Sequence, residues 1–63
     1  MLIIKKSISK KTQKPYHCIY LDINGISIPL SYDKQTICRL LSIKEGRYID
    51  YLELENYDMV QIL

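Results

Sequence analysis

Three side chains in this sequence, His17, Cys18 and Cys38, belong to types that ligate metals or form nucleophile–base pairs. His17 and Cys18 are adjacent in a strand-like segment, where consecutive side chains point to opposite faces. They therefore cannot converge on one ion or act as a catalytic pair, and structural zinc usually needs four ligands. We predict no metal site, no cofactor and no catalytic residue. The two cysteines are expected to pack as small apolar side chains.

Acidic side chains are concentrated toward the C-terminal end, where Asp50, Glu53, Glu55 and Asp58 surround Tyr57. Their spacing matches no calcium-binding loop, and a solvated face is the simplest interpretation. Such a surface also suits a basic protein partner, because tyrosine is enriched at interfaces and complementary charge guides association. The residues predicted to bind a protein are Tyr20, Asp50, Glu53, Glu55, Tyr57 and Asp58.

Residues 1–14 contain five lysines and no acid. The polar segment that ends at Pro15 leads into Tyr16 and Tyr20, which share one strand face. Lysines beside aromatic rings on an open sheet bind single strands, since charge follows the phosphates while bases stack. The alternative, nucleic-acid-binding set is Lys5, Lys6, Lys10, Lys11, Lys14, Tyr16 and Tyr20. The simpler interpretation is that lysine keeps loops soluble and tyrosine favours strands.

The stretch Lys14-Pro15-Tyr16, followed by Tyr20-Leu21-Asp22, resembles part of the filamentous-phage single-stranded-DNA-binding proteins. The resemblance covers a small part of the chain. It implies single-stranded-DNA binding and a larger all-β barrel. The helix predicted below departs from that fold.

The elements that must position these residues begin with a hairpin turning at Asn24-Gly25, a pair typical of type I′ turns. A two-residue turn places Ile23 opposite Ile26, Leu21 opposite Ile28, and Ile19 opposite Leu30. These six aliphatic side chains then share a face directed to the core. Cys18, Tyr20 and Asp22, opposite Ser31, Pro29 and Ser27, form the other face. Because Pro29 cannot donate to a further strand, the third strand is predicted to be a sheet edge and the second to be central.

Asp33 is a suitable N-cap, and Gly46 a suitable C-terminal stop, for the helix that follows. Residues 47–55 are ambiguous; alternation favours a strand, although Tyr48, Ile49 and Leu52 also fit a helical turn. The predicted fold is one small α+β domain covering residues 1–63. Its elements are an antiparallel meander of strands at 2–8, 16–23 and 26–30, a helix at 33–45, and one or two C-terminal strands at 48–54 and 59–63.

Size and composition limit the functions that this chain can have. With 63 residues, two glycines and a net charge of +2, it offers little room for a pocket and no phosphate-binding loop, so we expect no enzyme. No apolar run could span a membrane, and the N-terminus lacks signal-peptide order, which predicts a cytoplasmic protein (the host cytoplasm if phage-encoded). We expect a protein-binding module, an adaptor or inhibitor of phage or mobile-element type, including anti-defence proteins such as anti-CRISPRs. Its partner would be a protein, for instance a nucleic-acid-binding one with a basic surface; nucleic acid and a homodimer are the alternatives.

Overall fold

A computed structural model describes residues 1–63 and has one four-stranded antiparallel sheet with helices on one face. The predicted α+β fold is confirmed. The strand order in the sheet is β3-β2-β1-β4, so β2 and β1 are central and β3 is an edge, as Pro29 predicted. The elements are β1 (Leu2–Ile8), β2 (Pro15–Ile23), β3 (Ile26–Ser31), α1 (Lys34–Glu45), α2 (Tyr51–Leu54) and β4 (Met59–Gln61).

The β2–β3 hairpin turns where the sequence predicted. Asn24 and Gly25 have φ angles of 51° and 79°, the left-handed values that a type I′ turn requires. Ile23 pairs with Ile26, and Pro29 pairs with Tyr20 as expected. The ring of Pro29 therefore replaces an N–H that would have pointed away from β2.

The hairpin register departs from the prediction at its far end. Ile19 pairs with Ser31, not Leu30, because a β-bulge interrupts the ladder between Ile19 and Tyr20. The extra residue is Leu30, and a bulge of this kind bends the strand that contains it. The predicted pairs of Ile19 with Leu30 and of Cys18 with Ser31 are therefore wrong.

The hydrophobic core lies between the sheet and the helices. Ile4 and Ile19, which pair across β1 and β2, contribute the centre of the sheet face. The helices and the segment between them contribute Ile37, Cys38, Leu41, Ile49 and Leu54. Leu2, Leu40, Tyr57, Val60 and Ile62 pack around this cluster.

The aliphatic ribbon of the hairpin is mostly outside this core, contrary to expectation. Of the six residues predicted to face the core, only Ile19 is buried. Ile23, Ile26, Ile28 and Leu30 are 45–63% exposed. Helix α1 packs over β2 and leaves β3 uncovered, so turn chemistry specified the hairpin without specifying its burial.

Helix α1 begins and ends at the predicted caps. The carboxylate of Asp33 accepts hydrogen bonds from the backbone N–H of Thr36 (3.1 Å) and from its hydroxyl (2.7 Å). Gly46 has a φ of 73°, and its N–H donates to the carbonyl of Ser42. Neither helix has the length and apolar character needed to cross a bilayer.

The strand predicted at 48–54 is wrong, because Tyr51–Leu54 is a single helical turn. Asp50 caps it by accepting from the N–H of Glu53 at 2.8 Å. The N–H of Ile49 is bound by the hydroxyl of Ser42 at 2.8 Å, which ties the preceding loop to α1. Of the two C-terminal strands considered, only β4 forms.

Candidate binding surfaces

The face of the sheet opposite the helices is open and carries the predicted tyrosines. Tyr16 and Tyr20 are half-buried on this face, with the fully buried Cys18 between them. The Cys18 thiol lies 3.4 Å from the carbonyl of Ile19. Partial burial raises the pKa of the Tyr20 phenol above its usual value. Both rings are therefore partly packed against the sheet and partly exposed to a partner.

A groove of about 520 Å³ runs along the β1–β2 loop and combines lysines with tyrosines. Lys10 and Lys14 line it together with Tyr16 and Tyr32. The ring centroids of Tyr16 and Tyr32 are 5.6 Å apart at an interplanar angle of 54°. We call this the lysine–tyrosine groove. Tyr32 was not among the predicted residues, because only the fold brings it next to Tyr16.

The remaining predicted nucleic-acid-binding residues are divided between surfaces. Lys5 is exposed and pairs with Cys18, which places it on the open face; Lys11 is exposed in the loop. Lys6 instead turns to the helix side, where its Nζ donates to the carbonyl of Glu55 at 3.0 Å. Tyr20 does not line the lysine–tyrosine groove.

The acidic residues form intramolecular contacts that reduce their free charge. Glu53 makes an ion pair with Arg47, and this hydrogen bond raises the pKa of the arginine. The Glu55 carboxylate is 3.9 Å from Lys6 Nζ. Asp50 is exposed but caps α2. Two of the four predicted acids, Glu53 and Glu55, are therefore paired within the monomer, whereas Asp50 and Asp58 have no basic side-chain partner.

Tyr20 does not join the acidic residues in one surface, and Tyr57 is only partly exposed. Tyr57 packs against the core, and its carbonyl accepts a hydrogen bond from Nε2 of the buried His17 at 2.9 Å. The carbonyl of Asp58 accepts from the N–H of Lys6 at 2.8 Å, which starts the β1–β4 ladder. Tyr20 is on the opposite side of the sheet from the acidic residues.

The largest groove lies between α1 and α2, has a volume of about 750 Å³, and was missed by sequence reasoning. Ile43, Tyr48 and Leu52 are 78%, 80% and 83% exposed along it. We call it the α1–α2 groove. The full lining is Gln35, Cys38, Arg39, Ser42, Ile43, Tyr48, Asp50, Tyr51 and Leu52.

The floor and rim of the α1–α2 groove differ in polarity. Cys38 lies in the floor, where burial raises the pKa of its thiol and nearby Asp50 adds to the rise, so the sulfur stays a neutral thiol. Arg39 and Asp50 supply opposite charges at the rim. The Nζ of Lys34 lies 6.0 Å from the centroid of the Tyr51 ring. In the sequence, the apolar residues Ile43, Tyr48 and Leu52 could have indicated this groove, but the interpretation of 48–54 as a strand obscured them.

No three His, Cys, Asp or Glu side chains come together as metal ligands, and His17 and Cys18 point to opposite faces of β2. The chain matches no protein-family model, and neither a curated protein nor a solved structure is significantly similar to it.

Proposed function

We propose that this chain is a non-enzymatic protein-binding module, an adaptor or inhibitor, whose docking site is the α1–α2 groove. The observation that carries the proposal is the concentration of apolar side chains around that groove. Three of them are more than three-quarters exposed in a chain that buries only nine residues. Exposed apolar surface gathered in one concave place marks a binding site more often than scattered apolar residues do.

The occupant that fits best is an amphipathic helix of the partner protein. A groove between two helices accepts a third helix by its apolar stripe, as in other helix-in-groove complexes. Ile43 and Leu52 form opposite apolar walls for that stripe. Asp50, which keeps one carboxylate oxygen outside its cap hydrogen bond, offers a contact for one basic residue at the flank of the helix. This keeps the expected basic partner but moves the docking surface from the acidic stretch to the groove.

Affinity purification from the native host, with and without nuclease, tests the proposal. We expect the chain to recover a specific protein that survives nuclease treatment. Leu52→Asp should reduce recovery at least about tenfold, because it places a charge where an apolar stripe must be desolvated. Ile26→Asp is the matched control, since Ile26 is also exposed but lies on the hairpin.

Two results would count against this function. One is equal recovery of the partner by the wild type and the Leu52→Asp chain while Ile26→Asp abolishes it. The other is a set of associations that nuclease removes entirely. Thermal melting of each variant should show that the substitutions, both at exposed positions, leave the fold intact.

A second candidate function, single-stranded nucleic-acid binding, is favoured by the lysine–tyrosine groove. There Lys10 and Lys14 lie beside the paired rings of Tyr16 and Tyr32. Such a site has two parts, cations that follow the phosphate backbone and aromatic rings on which bases stack. Lys6 is not part of it, because Glu55 already binds its Nζ.

A further inference from the structure

The two edges of the sheet differ in whether another strand can be added. In β4, the carbonyl of Asp58 accepts from Lys6 and the N–H of Ile62 donates to Leu2, while Val60 pairs with Ile4. Because backbone groups alternate along an antiparallel strand, those of Met59 and Gln61 point away from β1. The β4 edge therefore presents two N–H groups and two carbonyls without a strand to bind them.

The β3 edge is protected in ways that the β4 edge is not. Pro29 removes one outward N–H there, and the bulge near Ile19 and Tyr20 bends the rest of the strand. Proline and bulges are the usual protection of exposed edges. The segment Met59–Gln61 has no proline, no charged side chain and no bulge, so it is the only edge of this sheet open to pairing.

We propose that a second copy of this chain pairs antiparallel along β4 and joins the two sheets into one of eight strands. The outward groups of Met59 and Gln61 are placed symmetrically about Val60. A two-fold axis at Val60 brings Met59 of one copy opposite Gln61 of the other, so that both edges are satisfied at once. This surface shares no residue with the α1–α2 groove.

Charge and area favour a second copy as the occupant. The strand Met59–Gln61 has no charged side chain, so two β4 strands place no like charges opposite each other, and Met59, 66% exposed, packs against the side chain of Gln61 from the other copy. The chain exposes 4673 Å², against roughly 4,250 Å² for a compact monomer of its mass. That excess is about half of what each partner buries in a standard interface of ~800 Å² per side.

Sedimentation velocity on the purified full chain, over concentrations up to millimolar, tests the pairing. The wild type should pass from the mass of a monomer, 7.5 kDa, to twice that mass. Gln61→Pro removes an outward N–H without touching the bonds between β4 and β1, and should weaken the dimer by about tenfold or more. Ser27→Pro is the matched control, because Ser27 pairs with Asp22 at a position whose N–H points out of the β3 edge.

Amide hydrogen exchange gives a second measurement that needs no variant. Protection of the Gln61 N–H should rise with protein concentration, while the Ser27 N–H stays unprotected. If the chain remains monomeric at every concentration, the proposal is overturned. The same result is expected if the true occupant of the β4 edge is a strand of another protein. A dimer that persists in Gln61→Pro, or that Ser27→Pro abolishes, also overturns it.

Discussion

At the scale of single residues, the most informative side chains are those that decide where an element begins. Asp33 and Asp50 use the same device, a carboxylate that accepts the N–H of the residue three positions later. The hydrogen bonds from Thr36 to Asp33 lower the pKa of that carboxyl below its usual value. The charged form of Asp33 therefore stabilises the folded chain, and its contribution depends on pH.

Substituting Asp33 tests that dependence. Asp33→Ala should lower the Tm at neutral pH by roughly 5 °C, because the first turn of α1 loses its acceptor. Since the folded pKa is lowered, the charge contribution is complete above the unfolded pKa and is lost as the pH falls through the folded value. Asp33→Asn keeps an acceptor without the charge, so its Tm should lack this acid-dependent part. Thermal melts of the wild type and both variants at neutral and acidic pH measure these effects on Tm. If the Tm of the wild type exceeded that of Asp33→Ala by the same amount at every pH, the assignment would be contradicted.

At the scale of elements, the segment predicted as a strand separates two leucines that a strand would have placed together. Leu52 and Leu54, two residues apart, would share a face in a strand. In the helical turn α2, Leu54 is fully buried while Leu52 is 83% exposed. The two positions therefore distinguish the two conformations by experiment.

Alanine substitutions at these leucines should have very different costs. Leu54→Ala empties a core site and should reduce the free energy of unfolding by about 2–5 kcal/mol. Leu52→Ala should change it by less than about 0.5 kcal/mol, because little of that side chain is buried. Urea denaturation of both variants measures the difference. Similar losses at the two positions would mean that residues 48–54 form a strand after all.

The contrast between elements shows which features short-range sequence can specify. Asn24-Gly25, Pro29, Asp33 and Gly46 act through their own backbone or immediate neighbours, and each does what was predicted. The bulge beside Ile19 is a feature of the pairing between β2 and β3, and no local pattern of residues indicated it.

Burial and site assembly depended on packing in the same way. The exposure of the hairpin ribbon follows from where α1 lies on the sheet, and the pairing of Tyr16 with Tyr32 depends on the end of β3 lying next to the start of β2. The α1–α2 groove was hidden because Asp50, interpreted as one position of an alternating strand, is a helix cap.

At the scale of the whole molecule, the asymmetric charge of the chain is partly cancelled by folding. Lys6 and Glu55, from opposite ends of the sequence, are paired, and Arg47 pairs with Glu53. Lys10, Lys11 and Lys14 have no such partners within the chain and are exposed. A net charge of +2 therefore understates the positive field at the β1–β2 loop.

That uncompensated charge allows the nucleic-acid function to be tested by its salt dependence. If the lysine–tyrosine groove binds single strands, fluorescence anisotropy should show binding to oligothymidine that weakens with salt. Each phosphate contact contributes ~0.7 to the slope of log K against log salt, so replacing Lys10 and Lys14 by Glu should reduce that slope by about 1.4. Lys34→Glu with Lys44→Glu makes the same charge change on α1 and should leave the slope nearly unchanged. Tyr32→Ser should weaken binding without altering the slope, because stacking releases no counterions. No binding at low salt, or an equal loss of slope in the α1 control, would exclude this groove as a nucleic-acid site.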